Sequence, residues 1–261
     1  VQLGIVMNAG IGDIILTHAM LGQCSRPVRV GLCEKAICTA RSADYRSFAR
    51  SLFELLFAGD SYVIDYTLPG PGIDPTALTT FLSPQSPDLR EVLPDDGPAV
   101  QADYVVVLTK IRGWWRHRYE AIRPRLLAAL KRVAAGRLLV LVGEREVGQN
   151  AEYRHHGANY IYSIHEDLAG IQCLDLTVPE LGVTPPLLAD FRRDCRVLRD
   201  AAAVVGLGSG GNTTMAQACG NWVANIDQTE MEAFLRLMPE DPRHRLCRSD
   251  EEFLAAVEVL A

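Results

Sequence analysis

An apolar run that meets glycine and then turns into a helix occurs twice in this chain of 261 residues, and that unit limits its fold more than any other feature. The later copy is the fuller one. Residues 202–207 form a short Val-rich run that reads as a buried strand, and Gly206, Gly208, Gly210 and Gly211 then remove every β-carbon that would hold a ligand off the backbone. Asn212, Thr213 and Thr214 suit a helix start, Met215, Ala216, Ala218 and Cys219 give a small apolar face, and Gly220 suits a stop. The unpaired N–H groups and positive dipole end of such a helix point back into the turn, so the backbone from Ser209 to Thr213 suits a phosphate or diphosphate. The plainer alternative is a tight turn between packed elements. The earlier copy starts at once, with a strand at 1–7, a turn at Asn8–Gly12 and a helix opening on Asp13 that buries Ile14, Ile15, Ala19 and Leu21.

The segments between these copies keep the alternation. Strands are expected at 28–32, 62–66, 103–108, 137–142, 158–164, 171–177 and 222–226, and helices at 43–57, 119–135, 185–199 and 251–260. Strand alternating with helix implies an α/β fold with mainly parallel sheets. Between Thr67 and Ala102 the texture changes, because seven of the fourteen prolines fall there and forbid long regular elements. That stretch reads as a linker or as a loop over a cleft, and it sets a boundary between domains 1–98 and 99–261.

Composition narrows the partners. A formal charge of −6 gives no footprint for nucleic acid, and no run of eighteen apolar residues is available to span a membrane. Seven cysteines, odd in number and without CxxC spacing, suit reduced thiols in a cytoplasmic setting, and the six histidines form no HExxH, so no metal site is expected. The chain opens inside an expected strand, which leaves room for native residues before Val1.

Two chemistries fit the later glycine turn. Gly206, Gly208 and Gly211 satisfy GxGxxG between a strand and a helix, with Asp227 where a ribose-binding acid would stand, which is the form of an NAD(P) site in an oxidoreductase. Against it, the helix is short and little chain remains to complete the sheet. The other reading takes the whole chain. VQLGIVMNAGIGDIILTHAML resembles the opening of the ADP-heptose:lipopolysaccharide heptosyltransferases, with Gly12, Asp13 and Thr17 at that family's Gly-Asp and following Thr. Thr109, Lys110, Trp114 and Trp115 are similar to the start of its C-terminal domain, Gly143-Glu144-Arg145-Glu146 to a Gly-and-Glu loop, and Ser209-Gly210-Gly211 to the turn that takes the donor diphosphate. The His that usually follows this turn is replaced by Asn212, Thr213 and Thr214, and the first domain is short.

The resemblance implies a GT-B glycosyltransferase: two Rossmann-like domains facing across a cleft, the first on the acceptor side and the second on the nucleotide-sugar side. Asp13, on a turn with Gly10 and Gly12, would be the base; Lys110, Arg112, Glu144 and the amides from Ser209 to Thr213 would hold the donor. That scheme inverts the anomeric centre and implies no metal and no cofactor, with a glycan, lipid or peptide as acceptor. Plainer roles exist for the same residues: an N-cap for Asp13, solvated loop charges for Lys110 and Arg112, packing for the two tryptophans, and a turn for His165, Glu166 and Asp167. A sugar-nucleotide-binding module without transfer is the remaining alternative.

Overall fold

The computed structural model describes residues 4–34, 43–93, 98–112, 116–146, 161–180, 188–207, 214–216, 218–219, 223–226 and 244–261. Its first half alternates β1 (Gly4–Asn8), α1 (Ile11–Leu21), β2 (Val28–Cys33), α2 (Ala43–Leu56) and β3 (Tyr62–Ile64). The three strands form a parallel sheet in chain order, with Met7 opposite Leu32 and Val30 opposite Ile64. α1 begins at Ile11, two residues before the expected start at Asp13. Gly10 is extended (φ −75°, ψ 142°) and caps the helix without a side chain, so only Ala9 and Gly10 separate strand from helix, and Gly12 and Asp13 fall inside the first turn.

The proline-rich stretch is packed on both sides. Ile73 adds a bridge to the free edge of β1, donating its N–H to Val6 O at 2.8 Å. α3 (Pro75–Leu78) is capped by the Asp74 carboxylate, which accepts from Thr76 N at 2.8 Å, and its Leu78 packs on Leu16 and Met20 of α1. Further along, Leu89 N–H donates to Ala218 O at 2.8 Å, so the stretch that began on the first sheet ends by satisfying a carbonyl in the helical segment after the later glycine turn.

The second half adds β4 (Tyr104–Leu108), β5 (Lys110–Arg112), α4 (Arg116–Gly136), β6 (Leu138–Val142), β7 (Glu144–Glu146), β8 (Ile161–Ser163), β9 (Cys173–Asp175), β10 (Val178–Glu180), α5 (Leu188–Asp200), β11 (Ala203–Gly206), β12 (Val223–Ile226), β13 (His244–Cys247) and α6 (Asp250–Glu258). Six of these strands make one parallel sheet in the order β13-β12-β11-β4-β6-β9. Both faces of that sheet are covered, which is why β4 reads as the unbroken apolar run YVVVL. Tyr104, Val106 and Leu108 join a core that also holds Met7, Ile14, Phe48 and Phe53 of the first half, whereas Val105 and Val107 pack with Tyr119, Leu126, Leu130 and Phe253. Phe48 on α2 and Phe191 on α5 meet at 5.9 Å between ring centroids, so the first of these cores runs from one sheet to the other.

On the opposite face, Arg118, Arg125 and Arg132 stand seven residues apart on α4 and pair with Asp250, Glu251 and Glu258 of α6. Solvent and salt screen such surface pairs, so they set the alignment of the two helices and Phe253, Leu254 and Val257 supply the adhesion. Pro124 is tolerated inside α4 because it lies on the exposed face, where water can take the freed carbonyl.

Several expectations are corrected. The plainer sequence reading sets Lys110 and Arg112 in a loop, yet residues 110–112 form β5, paired antiparallel with β8, and α4, expected from residue 119, already runs from Arg116. Gly143–Glu146 was also expected as a loop. Gly143, at φ 128°, turns the chain there, and residues 144–146 continue as β7 beside β10. β10 and β13 carry no expected counterpart: each is a short edge strand with charged residues and too few apolar positions for a period to show.

His18, in the last turn of α1, packs edge-on to Phe57 at 5.1 Å and against Tyr62 at 5.7 Å, and burial holds its imidazole below the ordinary value. The unfolded chain therefore takes up a proton at His18 before the folded one does. Its contribution to stability is full above about pH 6.5 and is lost as the pH falls through the lower folded value. Urea midpoints compared at pH 7.5 and pH 5.5 should fall on acidification in the wild type and fall less in His18→Gln; equal slopes would refute the assignment.

Candidate functional site

The chain builds the large sheet outward from β4 through β6 to β9, then returns to the other side of β4 and builds outward again through β11, β12 and β13. The order reverses between β4 and β11. In open parallel sheets a crevice opens outside the carboxyl ends of the two strands that flank such a reversal, because their connections leave in opposite directions. The two ends here are Leu108-Thr109-Lys110 and Gly206-Leu207. Thus the topology brings the Lys110 stretch beside the strand that leads into the later glycine turn, although about a hundred residues separate them in sequence.

At the first of these ends Thr109 is fully buried. Its N–H donates to Val142 O at 3.0 Å, and its carbonyl accepts from Ile164 N at 2.9 Å, which peels β5 away from the sheet to meet β8. Lys110, 8% exposed, lies opposite Ser163 in that small sheet and is not the solvated loop charge that its sequence context allows. Arg112 pairs through its backbone with Ile161, and Glu144 pairs with Val178 in β7. At the second end, Ser209, Gly210, Gly211, Asn212 and Thr213 lie outside the described residues, as do Gly208, Trp114, Trp115 and Asp227. Beyond the turn, residues 214–216 are helical, and Thr214, Met215, Ala216, Ala218 and Cys219 are buried, so the small apolar face fits under the core.

Asp13 belongs to the first sheet. It is the third residue of α1, half-buried, at the carboxyl end of β1, where the positive end of the helix favours a carboxylate. Gly12 beside it is buried and Gly10 is half-buried. Thr17, one turn further along, is fully buried with no hydrogen-bond partner for its hydroxyl among the described residues. Asp13 thus stands with the first sheet, and Lys110, Arg112 and Glu144 stand on strands of the second half.

Sequence reasoning missed a cavity. Over the carboxyl ends of β1 and β2 lies a space of about 970 Å³ walled by Asn8, Cys33, Glu34, Arg50, Tyr66 and the strap from Leu68 to Gly72. The strap is drawn tight, since a β-carbon on Gly72 would overlap Asn8 Oδ1 and lie 2.6 Å from Cys33 Cβ. On the α2 side, Glu34 accepts from Arg50 Nε and lies 3.5 Å from Arg46 Nε. The Arg50 guanidinium stands 5.6 Å above the Tyr66 ring, and the Tyr66 hydroxyl donates to Glu54 at 2.7 Å. Partial burial, helped by that bond to Glu54, pushes the Tyr66 phenol up to about 12, so it stays a donor at neutral pH. Asn8 and Glu34 were legible as residues at strand carboxyl ends, where ligands of such sheets gather. No sequence signal joined them to Arg50 or Tyr66.

His165 is the N-cap of a single 3-10 turn, Glu166–Leu168. His165 Nε2 meets Asp175 Oδ2 at 2.9 Å, Asp175 Oδ1 accepts from Thr177 N at 2.9 Å, and Asp167 accepts from the Tyr119 hydroxyl at 2.8 Å, so the turn is tied to β9 and α4. Among the described residues no group of three or more His, Cys, Asp or Glu is placed to hold a metal ion, and no helix is long and apolar enough to cross a membrane.

No protein-family model and no curated protein matches the chain. Among solved structures, it is similar to the dodecameric iron-containing heptosyltransferase TibC, solved in complex with ADP-D-β-D-heptose, at 13% identity and a TM-score of 0.44, over 96% of this chain and 65% of that one. This chain therefore spans about two thirds of the length of TibC. It is also similar to the ADP-heptose lipopolysaccharide heptosyltransferase II of E. coli, at 12% identity and a TM-score of 0.45, over 100% of this chain and 98% of that one.

Proposed function

We propose that the protein is a glycosyltransferase that moves a sugar from a nucleoside diphosphate to an acceptor hydroxyl, with residues 1–98 as the acceptor side and 99–261 as the donor side. The observation that carries this reading is the reversal of strand order between β4 and β11, which sets the Lys110 strand end next to the strand that runs into the glycine turn. The donor diphosphate lies against the amides from Ser209 to Thr213, with Lys110, Arg112 and Glu144 around the same crevice. Asp13 takes the proton from the acceptor hydroxyl, and the oxygen attacks the anomeric carbon on the face opposite the diphosphate. The bond from that carbon to the diphosphate oxygen breaks, and the anomeric centre inverts. The leaving diphosphate is stabilised by main-chain amides and cationic side chains, so the scheme uses no divalent cation.

The same topology disfavours the dinucleotide reading. In that fold the fingerprint glycines follow the first strand of the sheet, whereas Gly206, Gly208 and Gly211 follow β11, the fourth of its six strands in chain order. A thermal-shift panel separates the readings, because a ligand at 100 times its Kd stabilises the folded state by about 2.7 kcal/mol. UDP, GDP or ADP should raise the melting temperature and NAD and NADP should not. Stabilisation by NAD or NADP alone would overturn the proposal, and diphosphate binding with no sugar transfer from the corresponding nucleotide sugars would reduce the protein to a binding module.

A further inference from the structure

We propose that Arg192 is a further cation of the donor side, giving its guanidinium to the diphosphate of the sugar nucleotide. The role rests on the transferase reading above, and it comes from α5, an element to which that reading gives no part. Arg193, the next residue, donates from Nη2 to Leu176 O at 2.9 Å, just past the end of β9, so the opening turns of α5 lie at the carboxyl ends of the large sheet. Lower on the same helix the Cys195 thiol is hydrogen-bonded to Cys219, which sets α5 beside the helical segment that follows the glycine turn. Going round α5 from Phe191 at about 100° per residue, Cys195 comes after about 40° and Arg192 after about 100°, whereas Asp190 and Asp194 lie on the other side of Phe191. Arg192 therefore stands on the flank that faces this segment, about one turn nearer than Cys195 to the carboxyl ends of the strands.

That position leaves the guanidinium short of acceptors. Arg192 is half-buried, and its Nε is buried with no hydrogen-bond partner among the described residues. The three carboxylates of α5 are engaged by other side chains, Asp190 and Asp194 by Arg193 and Asp200 by Arg199. The described residues of the facing segment, Thr214, Met215, Ala216, Ala218 and Cys219, carry no charge. A charged donor taken out of water without an acceptor destabilises the fold, and a buried guanidinium is ordinarily matched by a carboxylate. Arg196, half-buried and one turn further along the same flank, adds to the positive field. An oxyanion that arrives beyond the carboxyl end of β11 brings the acceptor that the chain itself does not provide, since guanidinium N–H groups and phosphate oxygens match in both geometry and charge.

Calorimetric titration of the full chain with pyrophosphate and with UDP, GDP and ADP tests the role. Arg192→Gln should weaken pyrophosphate and the tightest of the three nucleotides by about 10–100-fold, and Arg192→Lys, which keeps the charge and loses the fork, by less. Arg199→Gln, on the same helix but with its guanidinium engaged by Asp200, should change neither affinity by more than about twofold. Because Arg192→Gln removes a half-buried charge that no carboxylate of α5 answers, it should melt no more than about 2 °C below the wild type, which separates loss of a ligand contact from loss of the fold. Wild-type affinities in Arg192→Gln, an equal loss in Arg199→Gln, or a loss that comes with a larger fall in melting temperature would each overturn the role and leave the transferase reading standing. A wild-type protein that binds none of the four probes up to about 10 mM would overturn both. Pyrophosphate binding that is lost in Arg192→Gln, when no nucleotide binds the wild type, would keep Arg192 as a diphosphate ligand and remove the transfer reaction.

Discussion

Asp13→Asn should lower the rate of sugar transfer by about 10²–10⁴-fold while nucleoside diphosphate affinity stays within about twofold of the wild type. The substitution keeps the shape of the side chain and its place in the first turn of α1, and it removes the capacity to take a proton. Loss of negative charge at a helix start costs about 0.3–1 kcal/mol, so the folded state survives and the kinetic effect is read on intact protein. A carboxylate that only capped the helix would show the stability change without the rate change. The pH dependence adds a second readout: the wild-type rate should have an acidic limb that the residual activity of the variant lacks. Unaltered turnover would remove Asp13 from the chemistry, whatever the nucleotide panel shows.

Much of the scaffold was legible because its buried strands are uniform. YVVVL and LLVLV are apolar throughout since both faces of the large sheet are covered, and such runs stand out against any flanking sequence. What was not legible lies at the carboxyl ends of those strands. Thr109 and Gly143 mark points where the chain leaves the main sheet and pairs again with β8 and β10, a choice made by long-range hydrogen bonds and by one backbone angle rather than by local preference. Hence Lys110, for which the sequence also allows a solvated loop charge, is buried. The start of α1 lies two residues earlier than expected for a related reason: glycine reads as turn, yet Gly12 is accommodated inside the helix, buried in its first turn. The cavity was invisible in sequence because its wall is assembled from β1, β2, α2 and the strap after β3, and only the sheet order makes those neighbours.

Phe191→Ala should cost about 3–5 kcal/mol and lower the melting temperature by about 10 °C, and the loss should be felt in both halves of the chain. Phe191 is 1% exposed and its ring meets Phe48, itself 3% exposed, so truncation opens a cavity between α5 and α2 that neither helix can refill alone. The core around this contact holds Met7, Phe53 and Leu89 together with Val106, Val140 and Val204, and α5 is also anchored to β4 by the Tyr104 hydroxyl, which donates to Val197 O at 2.8 Å. A core shared in this way makes the two sheets unfold together, because solvent that enters at Phe191 exposes apolar surface on both. Hydrogen exchange gives the decisive measurement. In Phe191→Ala, amide protection along α2 should fall by as much as along α5, and unfolding should remain one transition. If α2 kept wild-type protection while α5 lost it, the core would be divided near residue 98, and the two sides of the proposed transferase would be free to fold, and to move, as separate bodies.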